Sequence, residues 1–483
     1  NHTSCTGNAG CPPFSIASSG IWCRKGAMKH SLIGLLAISS CLSVMAQVKP
    51  KPVTMDFSAN WHQWRGPLGN GLAPKGDPPM RWNESTNIKW KVAIPGTGSA
   101  TPIVWGNQIF LVSVIKTDRK PKVIAGKDQP AERPGGRRFG GRMSTPTPTT
   151  FYQFVILCLD RATGKTLWQK VAVEEVPHAG HHPSHGYASA SPITDGQNLY
   201  LSFGSRGVFC YDLKGNFKWK RNFGDMRIKV GFGEGTSPAL HSDSLVVNWD
   251  HEGASFITSL NAKTGKEIWR KARSEATTWA TPFIVEHDGK MQVITNGRTR
   301  TRSYDLATGK LLWQCGGMTG NPIPMPVTRD GIAYLMTGFR GYALYAIPLD
   351  ARGDLTGTDK VAWKRNQDTP YVASPLLYDN LLYFTKERTG MIACAEAANG
   401  KVHFSGERLA DIRAIYASLV GAAGKVYVTG RGGTIVVLKH GPKYEVLATN
   451  KLGEGIDASP VIVGKELILR GQKHIYCIAT HKP

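Results

Sequence analysis

One phrase recurs along this chain with little change. LDRATGKTLW ends at Trp168, LNAKTGKEIW at Trp269 and YDLATGKLLW at Trp313. A shorter copy, YDLKGNFKW, ends at Trp219, and a copy with an insertion, LDARGDLTGTDKVAW, ends at Trp363. Degenerate forms follow as AEAANGKVHF to Phe404 and KHGPKYEV to Val446. Repetition on this scale restricts a chain to stacked or ringed units, because no single unit can bury its own apolar face.

A second mark keeps phase with the first: a residue that bears a hydroxyl in all copies but one, usually before proline, opening an apolar run. It stands at Thr101, Ser191, Ser237, Thr281, Met325, Ser374, Ser418 and Ser459, and from the second onward the spacing is 41 to 49 residues. Each unit holds four strand-like runs, as in SPIT, NLYLSFG, VFCYDL and NFKWKRN. Short strands at that period predict an all-β, eight-bladed β-propeller of four-stranded antiparallel blades over residues 87–478. The eighth unit supplies only three strands, and NIKWKVAI near the start of the domain holds the missing one. Pairing that N-terminal strand with the C-terminal blade closes the ring and removes its open edges.

The D-x-x-T-G-K segment reads as a tight turn in which Asp caps through its side chain and Gly takes positive φ. Trp90, Trp168, Trp219, Trp269, Trp313 and Trp363 then fall on outer strands as wedges between blades. Cys158, Cys210, Cys394 and Cys477 each stand two residues before the turn's Asp position, where Ser259 and Ser303 stand in other blades. One repeated position is a packing position. With Cys315 they make five widely spaced thiols, which is no disulfide framework.

The D-x-x-T-G-K-x-x-W core resembles the pyrroloquinoline-quinone (PQQ) repeat propellers, a family that includes quinoprotein alcohol dehydrogenases and the outer-membrane assembly factor B lipoprotein. WHQWRGPLGNG, ASASPITDG and GFGEGTSPALH look like its exported bacterial branch. The resemblance implies the fold. It implies activity only weakly, since function belongs to the site.

Residues 1–27 differ in character from the rest and read as upstream sequence, and 28–46 as a signal peptide: a charged start, an apolar core and a small residue at Ala46. A lipid anchor at Cys41 is the weaker reading, because apolar residues continue past it. Residues 48–86 form an N-terminal extension. With no other stretch of 18 apolar residues, no transmembrane segment remains after signal removal, and the chain is expected to be periplasmic or secreted. The formal charge is +24, of which the leader supplies three basic residues and no acids. That excess favours an anionic ligand such as an acidic polysaccharide, or envelope proteins; export argues against nucleic acid. A monomer is expected.

In a propeller, the loops leading into each innermost strand (lead-in loops) share one face with those joining its second and third strands (middle loops). The lead-in loop of the second blade is PHAGHHPSH, with His178, His181, His182 and His185. Other lead-in loops bring Glu234, Trp279, Asp368, Tyr371, Tyr416 and Asp457. Middle loops bring Arg206, Asp250, His251, Arg340, Arg388 and Arg431. Arginine's planar fork suits carboxylates, sulfates and phosphates. Pro183 disfavours the helical turn that would let His181 and His185 share a metal with help from His251 or Glu234. A polar, pH-responsive rim is the favoured reading of the histidines. The insertion at about 116–150, basic and rich in Gly and Pro, is expected to be a mobile arm on the same face.

These observations favour a binding or protein-interaction scaffold in the cell envelope, without assigned catalytic or metal-binding residues. The resemblance supplies two alternatives. One is a dehydrogenase of alcohols or sugars that uses PQQ with calcium or a lanthanide, disfavoured because no two cysteines are adjacent. The other is a scaffold for outer-membrane protein assembly.

Overall fold

The computed structural model describes residues 56–122 and 145–480. The leader, the signal segment, Cys41 and the middle of the basic insertion lie outside the described residues. No helix among the described residues is long and apolar enough to cross a membrane.

Eight antiparallel sheets form the ring, one per repeat, seven of them four-stranded. Blade 2 is typical: Ile193–Thr194 innermost, then Asn198–Ser202, Val208–Asp212 and Phe217–Arg221. In blade 8, Val461–Val463, Glu466–Arg470 and His474–Ile478 are completed by Ile88–Ala93, with Trp90 opposite Cys477. The ring therefore closes by pairing the domain's first strand with its last, as the sequence predicts. Apolar clusters fill the spaces between blades; one joins Tyr200, Cys210 and Trp219 of blade 2 to Leu245, Val247 and Trp249 of blade 3.

The repeated phrase builds a joint between blades. Asp160 accepts from Thr163 N at 2.8 Å and Asp305 from Thr308 N at 2.9 Å, which caps the turn. The following glycines adopt positive φ, +73° at Gly164 and +69° at Gly265 and Gly309. Each tryptophan then donates its indole N–H to the carbonyl just after the capping residue of the next blade. Trp90, Trp168, Trp219, Trp269 and Trp363 reach Arg161, Leu213, Ala262, Leu306 and Ala397 at 2.8–3.2 Å. Trp313 departs from this pattern. It is fully buried, yet its Nε1 has no partner among the described residues. The insertion in the fifth copy is the cause: Gly353–Asp354 adds a short parallel strand beside Trp313 and Gln314, making blade 4 five-stranded.

The second repeated mark forms an inner ring. The backbone N–H of Thr101 donates to Ser191 Oγ, Ser191 to Ser237, Ser237 to Thr281, Met325 to Ser374, Ser374 to Ser418, Ser418 to Ser459, and Ser459 back to Thr101, at 2.8–3.2 Å. The link from Thr281 is missing because Met325 has no hydroxyl to accept it. Each link satisfies a buried donor that would otherwise cost about 1–3 kcal/mol.

The N-terminal extension fills the channel from the side opposite the lead-in loops. Trp61 bridges Val104 of blade 1, His62 O accepts from Thr194 of blade 2, and Leu72 bridges Gly421 of blade 7. Trp64 Nε1 reaches Ser459 of the hydroxyl ring at 3.4 Å. Fully buried Arg65 donates to the carbonyls of Leu419, Asn70 and Pro375.

Candidate functional site

Lead-in and middle loops meet on one face, as contacts between them show. Arg388 donates to Tyr416 Oη at 3.4 Å, and Arg431 grips Asp457 with bonds of 2.6 and 2.9 Å. Arg206 pairs with Glu175 and Asp225. The flank of the basic insertion arrives on this face too, where Thr145 Oγ1 donates to Gly231 O at 2.9 Å.

The histidine loop crosses the channel mouth. Its Ser184 Oγ lies 3.3 Å from Tyr416 Oη in blade 7, and the His182 N–H donates to Phe232 O of the neighbouring lead-in loop at 3.1 Å. The four imidazoles are held separately. His178 Nδ1 accepts from Arg206 at 3.1 Å, so its Nε2–H donates to Met226 O at 2.9 Å. His181 Nδ1 is 2.9 Å from His182 O, and His182 Nδ1 is 2.8 Å from Ser184 Oγ. His185 Nδ1 is 2.9 Å from Ser189 Oγ, while its Nε2 is buried; burial pulls this imidazole down to about 4. Among the described residues no group of three His, Cys, Asp or Glu side chains is placed to hold a metal ion.

The acids expected on the face are committed to holding it together. Glu234 accepts from Ser205 N and Oγ at 2.6 and 2.5 Å, and its burial favours the protonated form. Asp250 lies beneath the face, locked by Arg273 at 2.8 and 3.0 Å, with Thr278 at 2.8 Å. His251 is buried beside it and accepts the Arg227 N–H. Asp368 takes Arg365, Lys386 and Ser405. Trp279 is pinned through its Nε1 to Gly233 O at 2.7 Å. A cavity of about 40 Å³ lies beside Glu234, Asn248 and Phe203. It has room for a few waters only, far below the several hundred Å³ of an ordinary ligand pocket.

The cations are less constrained. Arg298, Arg340 and Arg388 are exposed, and none has an ion pair among the described residues. Arg340 lies over the Phe339 ring at 5.3 Å, and Arg431 over Tyr416 at 4.0 Å. Tyr371 packs against Phe339, centroids 4.8 Å apart, and accepts from Asn321, whose amide oxygen accepts from Lys229 Nζ at 3.1 Å. Burial, then Arg298 and Arg340, lowers the Lys229 ammonium, against an opposing pull from Glu252. Burial, then Arg388 and Arg431, lowers His182. One arc of cationic side chains interleaved with aromatic rings thus runs from Lys229 past Arg298, Arg340 and Arg388 to Arg431. The sequence reading missed Arg298, although NGRT places a Gly-Arg pair in a middle loop as Gly430-Arg431 does. Lys229 and Phe339 carry no such signal.

The family model described as outer membrane protein assembly factor BamB matches residues 152–404. A search of the curated proteins gave no match. The fold is similar to that of a quinohemoprotein alcohol dehydrogenase from Comamonas testosteroni, at 10% identity over 89% of this chain and 82% of that one, with a TM-score of 0.59. It is similar also to a europium-containing methanol dehydrogenase, at 10% identity over 87% and 98%, TM-score 0.58. BamB from Moraxella catarrhalis aligns over 76% of this chain and 99% of its own at 12% identity, TM-score 0.49. At identities this low, the two dehydrogenase likenesses speak for the propeller fold alone. With the repeats of residues 152–404 matched by the family model, over half its length, the chain belongs to the BamB-like PQQ-repeat propeller family.

Proposed function

We propose that this protein is an exported binding scaffold whose loop face takes an anionic ligand, an acidic polysaccharide or an acidic surface of an envelope protein. The observation that carries the reading is an asymmetry. The acids expected on the face are bound internally, whereas Arg298, Arg340 and Arg388 stand exposed without acid partners among the described residues. Arginine beside Tyr371 and Tyr416 suits a ligand that joins charge to flat, partly apolar rings.

The resemblance to quinoprotein dehydrogenases implies a quinone held against two adjacent cysteines with an Asp as base, and the residues present do not fit that arrangement. The five described cysteines are buried one by one in separate places, and the Asp250 carboxylate is already satisfied by Arg273. Family membership favours contact with other proteins as the second reading, with the same face as the contact surface.

Retention on a sulfated-polysaccharide column tests the proposal. An Arg340→Ala/Arg388→Ala variant should elute at clearly lower salt than Lys214→Ala/Lys271→Ala, which removes the same charge from outer exposed positions. Equal losses would reduce the effect to net charge and defeat the reading.

A further inference from the structure

The fifth copy of the repeated phrase, LDARGDLTGTDKVAW, is longer than the others, and its extra residues do not stay in their own blade. Gly353–Asp354 runs beside Trp313 and Gln314 at the outer edge of blade 4, and the Leu355 N–H donates to Gln314 O at 2.8 Å. Thr356 Oγ1 accepts the Gly316 N–H at 2.8 Å. The chain then returns to blade 5, where Lys364 stands opposite Tyr345 in the ladder. This bridge leaves a cleft of about 390 Å³ between the outer parts of the two blades. Small-molecule pockets run from ~300 to 1,000 Å³, so the cleft has room for one small ligand.

Its lining is amphipathic. Leu355 is fully buried, and Tyr345 and Val361 pack against the apolar cluster that contains it. Three polar groups on the cleft have no partner among the described residues. Tyr345 Oη makes no hydrogen bond, and neither Asp359 nor Lys364 has an ion pair. Asp359 and Lys364 are both exposed and line the same cleft, yet they do not pair with each other. Neighbouring Asp354, by contrast, is paired with Arg300 at 3.1 Å. A carboxylate, an ammonium and a phenol, all unpaired beside an apolar wall, are complementary to a zwitterion that carries an apolar side chain. Its ammonium supplies donors for the carboxylate, and its carboxylate supplies acceptors for the ammonium and the phenol. A simple anion would be opposed by Asp359, and a wholly apolar molecule would leave all three polar groups unmatched.

We propose that this cleft binds one free amino acid with an apolar side chain. Asp359 takes the α-ammonium, Lys364 and Tyr345 Oη take the α-carboxylate, and Leu355 and Val361 pack on the side chain. The site lies on the outer wall of the ring and does not depend on the loop-face reading.

Equilibrium dialysis of the full chain against radiolabelled L-leucine tests the site. Label should be retained saturably, at one molecule per chain, and unlabelled L-leucine or L-phenylalanine should displace it. Glycine, N-acetyl-leucine and leucine amide, which lack the side chain, the ammonium and the carboxylate in turn, should not. Asp359→Asn and Lys364→Gln should each weaken retention by about tenfold or more, the loss of one charged hydrogen bond. Neither side chain has a partner to lose, so both variants should unfold at the wild-type midpoint without ligand. Tyr345→Phe, which removes only an unpaired hydroxyl, should also weaken retention and preserves the test if either charge variant fails to fold. Arg340→Ala/Arg388→Ala should retain leucine as wild type does. No retained label, equal retention by the Asp359, Lys364 and Tyr345 variants, or equal displacement by N-acetyl-leucine and leucine amide would overturn the proposal. Retention lost only in the Arg340/Arg388 variant would overturn it too, while leaving the loop-face reading in place.

Discussion

The indole of Trp219 occupies the space that a side chain on Gly265 would need: a Cβ there would stand 2.7 Å from the ring. The same relation joins Trp90 to Gly164, Trp168 to Gly215, Trp269 to Gly309 and Trp363 to Gly400. The repeat therefore needs its glycine twice, for positive φ and for the neighbouring blade's tryptophan. Gly265→Ala should cost roughly 2–5 kcal/mol, from a left-handed alanine plus overpacking. Gly289 has a similar φ of +70° with nothing near it, so Gly289→Ala should show the backbone cost alone. Denaturant unfolding of the pair separates the two contributions, and equal losses would remove the tryptophan contact from the explanation.

The inner hydroxyl ring makes a local prediction. Ser237→Ala leaves the Ser191 N–H buried without its acceptor. A loss of about 1–3 kcal/mol is expected in equilibrium unfolding. A neutral result would mean that water or a shifted backbone replaces the hydroxyl.

How much of this was legible in the sequence follows the range of the interactions. The capped turn, the tryptophan wedge and the Ser/Thr-Pro starts are local patterns repeated many times, so they could be read directly. Ring closure could be read because Trp90 is a detached copy of the same pattern. The channel filling could not: Trp61 meets Val104 and Leu72 meets Gly421 through single long-range pairings with no repeat to betray them. Nor could the fate of Asp250, which the sequence placed among ligand-facing acids. Its partner Arg273 is 23 residues away and carries no pattern.

That pair yields its own test. Asp250→Ala strands a buried guanidinium and should destabilise the fold by about 3–5 kcal/mol. Retention of the folded fraction on a polyanion column should not change, because Asp250 does not reach the face. Altered retention would restore it as a ligand contact.

Acid sensitivity has a defined window. Burial lowers His185, and likewise His62, from 6.5 to about 4 in the fold. Below pH 6.5 the unfolded chain therefore takes up protons that the folded chain refuses. Stability from these two groups is complete above pH 6.5 and falls as the pH drops toward 4, by up to about 3 kcal/mol each. His185→Gln should flatten that slope in pH-dependent denaturation. An unchanged slope would show that this imidazole titrates normally in the fold.

The measurement that bears most directly on the binding face is hydrogen exchange of the full chain with and without saturating acidic polysaccharide. Protection is expected in the histidine loop at 177–187 and around Arg298, Arg340, Arg388 and Tyr416, with the outer strands unchanged. Protection spread over the outer strands, or absent from those loops, would contradict a loop-face anion site and leave the positive charge as a general surface property.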